Sequence, residues 1–452
     1  MMDTLSLLAC FQPLVTAVTW RHLTRIIPAL LTMTGRVTML GLSRWAGKGG
    51  SYRTVQRFFA TSLPWLELLV KFFETHLCQT ESVYILAGDA TTLTKAGSHT
   101  HGIGRFFSGI VGQVVTGLEF FVFSLVAVGE RKAYPLAVRQ TVRSEAEKQA
   151  LKARRKQRAK QPRKASGKPR GRPPGSLKKD KNELNLSPEL LRVNELLVKL
   201  LKLLRVFLKV KYLVLDGHFG HNQAVLLARQ NDLELISKLR KDAALYEKYE
   251  GGYGGQGAPK KYGARLRYDL LPTKYWQKSE RAGNILTNYY QGVFLHKEFG
   301  CELNVVLIVK LNLTTQKRGH ALLFSSDVTM GWERLLDYYS LRFQIEFNFR
   351  EAKQHFGLED FMNRTEEGVE NAANLSFLMV NVSAQLIKSS AAPCVGINDL
   401  KTRYRGVRYA VETIKILLEK PETILMREVL EQVKERIGKL GSIHEKFAPA
   451  TA

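Results

Sequence analysis

Cysteine is scarce in this chain: Cys10, Cys78, Cys301 and Cys394 are its only four, and they lie far apart. No C-x-x-C pair exists, which argues against a zinc ribbon, a redox dithiol and a disulfide-stapled scaffold. The cysteines suit a reducing cytosol. Long hydrophobic runs are also lacking. The longest uncharged start, Thr4 to Trp20, carries Gln12, Pro13 and several threonines, so it does not read as a membrane span. Leu7-Leu8-Ala9-Cys10 has a faint likeness to a lipoprotein cleavage box. Asp3 precedes it, no Lys or Arg does, and the apolar run is too short for a signal peptide. Acidic residues are the third shortage. Asp plus Glu number 41 against 68 Lys plus Arg, a formal net charge of +27, so the chain calls for an acidic partner. Nucleic acid leads, with a membrane surface well behind.

What is present is enough apolar content, 45% of 452 residues, to rule out a chain disordered throughout. The length predicts two or three domains. The charge is uneven. Lys148 to Lys181 holds fifteen Lys or Arg and one acid, Asp180, about half of the net charge. Rich in Pro, Gly, Ser and Gln, this segment reads as a flexible basic loop or linker. Within it, Pro169-Arg170-Gly171-Arg172-Pro173 looks like the core of an AT-hook. Its prolines keep the backbone extended, and Arg170 and Arg172 would enter an A·T-rich minor groove. The plainer reading is a solvated linker touching phosphates without preference.

Residues 1 to about 80 read as helical. Gly47-Lys48-Gly49-Gly50 is a turn, and Ser51 caps a helix over Tyr52 to Phe59 that carries Arg53, Gln56 and Arg57. Helix, glycine turn and basic helix make a helix-turn-helix pattern, although any helical bundle has such turns. Strands follow. Val83 to Ala87 is an apolar run ending at Gly88-Asp89. Val111 to Val115 and Leu118 to Val128 flank Thr116-Gly117, which predicts a tight hairpin. Ser187-Pro188 starts a long helix with one wet face. Tyr212 to Leu215 is a buried strand ending at Asp216-Gly217, followed by a helix from about Asn222 and a strand around Leu235. Residues 243 to 326 are strand-like, and a long helix from Trp332 to Phe356 is closed by Gly357. The last 95 residues read as helical, with an almost wholly apolar stretch from Leu375 to Ile387 that fills a core or joins two subunits. The whole is an α/β pattern.

The strongest signal lies between Tyr339 and Lys353. On a helix, Tyr339, Arg342, Glu346, Arg350 and Lys353 fall within about 80° of one another. Leu341, Ile345, Phe349, Ala352 and Phe356 form the apolar stripe beside them. A carboxylate flanked by cations and a phenol suits a phosphate chain with a divalent metal. The bland alternative is an exposed helix laced with ion pairs such as Arg342–Glu346. Asp89 and Asp216 change that balance, because each ends an apolar strand where side chains enter a cleft. Three carboxylates can bind two Mg²⁺, with Mn²⁺ as a substitute. One ion activates a water or 3′-hydroxyl and the other stabilises the leaving oxygen. His218 and His221 follow Asp216 and read as residues opening a helix rather than proton shuttles.

Tyr339, Arg342, Glu346 and Lys353 match the Y-(2)-R-(3)-E-(6)-K signature at every spacing. In this the chain resembles bacterial insertion-sequence transposases of the DDE class, the type-four insertion-sequence family. Asp89-Ala90-Thr91, Asp216-Gly217, Lys238 to Asp242 with Tyr246, and Lys260 to Gly263 are similar to that family too. The resemblance covers roughly residues 80 to 360. It implies an α/β fold with a ribonuclease H-like catalytic core and an inserted β-rich domain, flanked by helical N- and C-terminal regions. The corresponding boundaries are 1–80 for a helical DNA-binding region and 81–242 for the first part of the core, including the basic 148–181. The β insertion then spans 243–330, the helix with the catalytic Glu 331–358, and the C-terminal helices 359–452. It further implies catalytic, metal-holding roles for Asp89, Asp216 and Glu346 and phosphate contacts from Tyr339, Arg342 and Lys353. Arg350, Arg53, Arg57, Arg170 and Arg172 complete the expected DNA-binding set.

Two departures stand out. The 127 residues from Asp89 to Asp216 are stretched by the basic segment. Related enzymes also use a tryptophan in the β insertion to hold a flipped base, and Trp276 and Trp332 both compete for that place. The implied activity is cut-and-paste transposition on double-stranded DNA, at terminal inverted repeats and target sites. A homodimer on paired ends, a cytoplasmic, nucleoid-associated location and no membrane partner go with it. The competing readings are another metal-dependent DNA nuclease on the same core and a non-catalytic DNA-binding descendant. The first would not need the Tyr, Arg and Lys stripe. The second should have lost a carboxylate.

Overall fold

The structure, a computed structural model, describes residues 4–109, 111–160, 180–253, 255, 259–390, 396–417 and 427–428. Five helices open the chain: α1 (Thr4–Leu8), α2 (Ala17–Thr32), α3 (Met39–Ala46), α4 (Tyr52–Phe59) and α5 (Trp65–Phe72). Their starts follow from capping. Thr38 and Ser51 accept from the backbone N–H of Gly41 and Thr54, satisfying donors that α3 and α4 would otherwise leave open. The apolar face of α4 buries Val55, Phe58 and Phe59, which turns Arg53, Gln56 and Arg57 to solvent.

The strands are β1 (Tyr84–Thr94), β2 (Gly104–Ser108), β3 (Gln113–Ala127) and β4 (Lys132–Gln140). After α6 (Glu145–Lys160) and α7 (Pro188–Leu204) come β5 (Tyr212–Leu215), α8 (Asn222–Gln230) and β6 (Glu234–Leu239). The strand-rich block follows as β7 (Leu245–Lys248), β8 (Tyr262–Arg265), β9 (Trp276–Ala282), β10 (Ile285–His296), β11 (Glu302–Asn312) and β12 (Arg318–Ser325). The chain then forms α9 (Trp332–Leu341), α10 (Gln344–Phe356), α11 (Glu366–Lys388) and α12 (Ile397–Leu417). All twelve strands belong to one mixed sheet, ordered β2-β3-β1-β5-β6-β12-β11-β10-β7-β8, with β4 also on β3 and β9 also on β10. The strand-rich block is thus hydrogen-bonded onto β6 through β12.

Helix α9 covers one face of this sheet, where Leu335, Tyr338 and Leu341 pack with Ile85, Ala87, Tyr212, Val214 and Ile236. Helix α11 is buried along most of its length. Its apolar stretch from Leu375 lies inside the chain's own core. Asn371 on α11 pins the N-terminal helices: its Oδ1 accepts from Trp65 Nε1 at 2.7 Å, and its Nδ2 donates to the carbonyls of Phe59 and Thr61.

Several expectations give way. Thr116-Gly117 is not a hairpin, because β3 runs straight through it. Gly117 is needed for close approach instead: a Cβ there would collide with the Leu93 carbonyl of β1. Strand β4 has no counterpart among the expected strands. Asp89 does not end its strand, since β1 continues to Thr94 against β3. The basic segment is not wholly a linker, because Lys148 onwards continues α6 to Lys160. Acidic residues in its first turn and a Ser144–Glu147 box favour that helix. Residues 161–179, with Arg170 and Arg172, lie outside the described residues. The helix from Trp332 to Phe356 is broken at Arg342–Phe343, where i→i−3 hydrogen bonds tighten the backbone. Gly357, at φ +79°, closes α10 as expected.

The turn between β12 and α9 is held by Asp327. Its carboxylate accepts from Lys211 Nζ and Tyr212 OH, both at 2.9 Å, and from the backbone and hydroxyl of Thr329. Burial opposes ionisation here, but the bonds from Thr329, Lys211 and Tyr212 win and hold the group well below the usual carboxylate range. This contribution is present above about pH 4 and is lost as the pH falls further. Asp327→Ala should therefore cost about 3 kcal/mol in urea unfolding at neutral pH, and much less at acidic pH.

Candidate active site

Three carboxylates meet where β1, β5 and α10 converge. Side chains alternate along a strand, so Ile85, Ala87 and Asp89 share one face of β1. Tyr212, Val214 and Asp216 share the same face at β5, and the apolar members of both rows pack under α9. The parallel register pairs Gly88 with Leu215. Asp89 and Asp216 therefore stand side by side, on strands about 4.8 Å apart. The next residue after Leu341, the last buried residue of α9, is Arg342, and Glu346 follows on the first turn of α10.

Arg342 enters this cluster. Its Nη1 lies 2.5 Å from Asp89 Oδ2 and its Nη2 3.6 Å from Glu346 Oε1, while its Nε is buried without a partner. The Arg342 and Asp89 side chains are only 15% and 22% exposed, so solvent screens the contact weakly. Burial pushes the Asp89 carboxyl up to about 6. Arg342 and the Ala90 N–H pull it back, and Asp216 and Glu346 add repulsion. Asp216 Oδ1 accepts from His218 N at 3.2 Å, and its carbonyl accepts from Ser237 Oγ at 2.7 Å, which fixes the strand end. Burial raises the Tyr339 phenol, with Asp216 and Asp89 reinforcing the effect.

The structure brings Tyr339, Arg342 and Glu346 to the two aspartates, and it sets Lys353 and Arg350 apart. Lys353 Nζ reaches the Thr92 carbonyl, three residues along β1 from Asp89, and pairs with Glu359 at 3.4 Å. Arg350 is exposed and lies over the Phe347 ring. His221 caps α8, and His218 bonds Glu189 at 3.1 Å, so both serve locally. Of the two tryptophans, Trp332 packs on Tyr289, with ring centroids 5.1 Å apart, whereas Trp276 is half exposed at the start of β9. The Asp89–Arg342 contact had no local signal, because 253 residues separate the pair.

The donor chemistry fits a hard divalent cation: three carboxylates from two strands and a helix, already repelling one another. Among the described residues no three His, Cys, Asp or Glu side chains stand in a ligand arrangement. The Asp89 carboxylate is drawn to Arg342 instead. Removing that counter-charge as Arg342→Gln should raise the Asp89 pKa above about 6, read by carbon NMR of the carboxyl. An unchanged value would mean that the contact does not form in solution.

Comparison with known proteins bears on this site. The DDE superfamily endonuclease family matches residues 10–284, and the transposase DDE domain family matches residues 193–382. Asp89 falls in the first match, Glu346 in the second and Asp216 in both. No curated protein matches. Among solved structures, the chain is similar to the piggyBac transposase synaptic complex with hairpin DNA, at a TM-score of 0.34 and 10% identity. That similarity covers 84% of this chain and 61% of the other, so this chain spans about three fifths of that protein's length. With the first family match covering more than half of its residues, the chain belongs to the DDE superfamily endonucleases.

Proposed function

We propose that the protein is a DDE transposase that cuts DNA at the ends of a mobile element and joins the freed 3′ ends to target DNA. The observation that carries this reading is the convergence of Asp89 and Asp216, through strand register and alternation, on the helix bearing Glu346. The match to a transposase DDE domain and the net charge of +27 support it. So does the strand order β4-β3-β1-β5-β6, antiparallel through β1 and parallel beyond it, which is the pattern of a ribonuclease H-like core.

Asp89, Asp216 and Glu346 would hold Mg²⁺, or Mn²⁺ in its place. Bound there, the metal supplies positive charge that activates the attacking oxygen and stabilises the leaving one. The remaining work falls to the chain's own side chains. Arg342 can exchange its carboxylate partners for a phosphate, which its guanidinium fork binds equally well. Tyr339 offers a phenol O–H beside it, and Lys353 a cation farther along β1. The exposed Arg53 and Arg57 of α4 give the N-terminal helices a face for the duplex. Two element ends call for two copies of the chain, and the substrate is double-stranded DNA at terminal repeats and target sites, in the bacterial cytoplasm beside the nucleoid.

The test is strand cleavage of a labelled duplex bearing the element's terminal repeat, with Mg²⁺, by wild type and Glu346→Gln. Wild type should nick at the repeat boundary. The variant should bind but cut at least about 10²–10³-fold more slowly. Equal cutting by both would remove Glu346 from the site. Binding without cutting by both would favour a DNA-binding descendant, and cutting that ignores the boundary would favour a general nuclease.

A further inference from the structure

The hairpin of β2 and β3 and helix α6 enclose an open groove of about 1340 Å³. Its walls expose apolar side chains that a folded chain normally hides: Phe107 is 62% exposed, and Val114, Val142 and Leu151 are exposed too. Cations surround them. Arg105 and Lys152 are exposed, Lys148 pairs with the solvent-facing Glu145, and Arg143 is fixed over the Phe106 ring. Among the described residues that line it, none carries an acidic side chain. The groove also touches the strand that carries Asp89. Thr92 Oγ1 donates to the Phe107 carbonyl at 3.0 Å, and Thr92 lies three residues from Asp89, about 10 Å along the strand.

We propose that this groove holds a single strand of DNA leaving the cleavage site, with Phe107 stacked on a base and Lys148 and Lys152 on its phosphates. The chemistry selects unpaired over paired DNA. A duplex offers phosphates but keeps its base faces stacked inside, which would leave Phe107, Val142 and Leu151 in water. An unpaired strand offers both a charged backbone and free π-faces, the combination that basic-aromatic grooves bind. The surface pair Lys148–Glu145 contributes little and can be exchanged for a phosphate. The inference rests on the reading of the chain as a DNA-cutting enzyme, and it adds a second DNA site to that reading.

The experiment photo-crosslinks an iododeoxyuridine-substituted oligothymidine to the full chain, maps the adduct by mass spectrometry and measures affinity by anisotropy. The adduct should fall on the peptide containing Phe107. Phe107→Ala should weaken binding roughly 5- to 150-fold, the range for losing one base–aromatic stack, while Phe107→Tyr keeps it. Lys148→Gln with Lys152→Gln should reduce the salt dependence by about 0.7 per lost phosphate contact. Phe107 is exposed, so these variants leave the core intact. Adducts mapping elsewhere, with Phe107→Ala binding as wild type, would overturn the proposal. So would a concentration-dependent dimer that Phe107→Ala dissolves without loss of DNA affinity, which would make the groove a contact between copies. Wild-type nicking of the terminal duplex, assayed in parallel, separates the two readings. Nicking without a Phe107 effect sinks the groove alone, and a Phe107 effect without nicking sinks the cleavage reading alone.

Discussion

Partial burial of the Asp89 carboxylate, in the corner beside Asp216, Glu346 and Arg342, is the constraint on which the site depends. Burial of the half-buried Asp89 carboxyl raises it to about 6, against the pull of Arg342, and Asp216 and Glu346 add repulsion. Arg342 supplies the positive charge from the helix side. Its guanidinium spans Asp89 and Glu346 and leaves Nε buried without a partner. Such a group is held in place by its surroundings and can be drawn off by a stronger anion.

The fold exists to hold that corner rigid. Two parallel strands in register set the aspartates level, and the apolar residues before them on the same face lock α9 down. The break after α9 aims Arg342 inward and restarts the helix at Gln344, so that Glu346 faces the sheet on a new turn. Asp327 ties the entry of α9 to the start of β5, and Asn371 ties α11 to the N-terminal helices. Few polar contacts do this, and those of Tyr212 with Asp327 and Trp65 with Asn371 are buried, where an unmet hydrogen bond is costly.

Much of this was legible in the sequence. Caps at Ser51 and Ser187, the apolar run before Asp216, and Gly357 after α10 each mark an element by local chemistry alone, and the structure keeps all four. The three carboxylates were legible as a set because each follows or interrupts an apolar pattern. What escaped was decided by distant partners. Gly117 reads as a turn residue, but its lack of a side chain admits the Leu93 carbonyl of a neighbouring strand. Arg342 pairs on paper with Glu346 four residues on, yet its shorter contact is with Asp89. The basic run beginning at Lys148 looks unable to fold, yet its first turns extend a helix capped upstream at Ser144. Non-local contact has no signature in a local pattern.

If Arg342 and a bound metal answer the same charges, the two compete for the site. The direct test is manganese binding, followed by electron paramagnetic resonance without DNA, for wild type, Arg342→Gln and Asp89→Asn. Arg342→Gln should bind roughly tenfold more tightly, because a competing cation is gone, and Asp89→Asn should lose the site. Unchanged or weaker binding by Arg342→Gln, with Asp89→Asn binding like wild type, would contradict it.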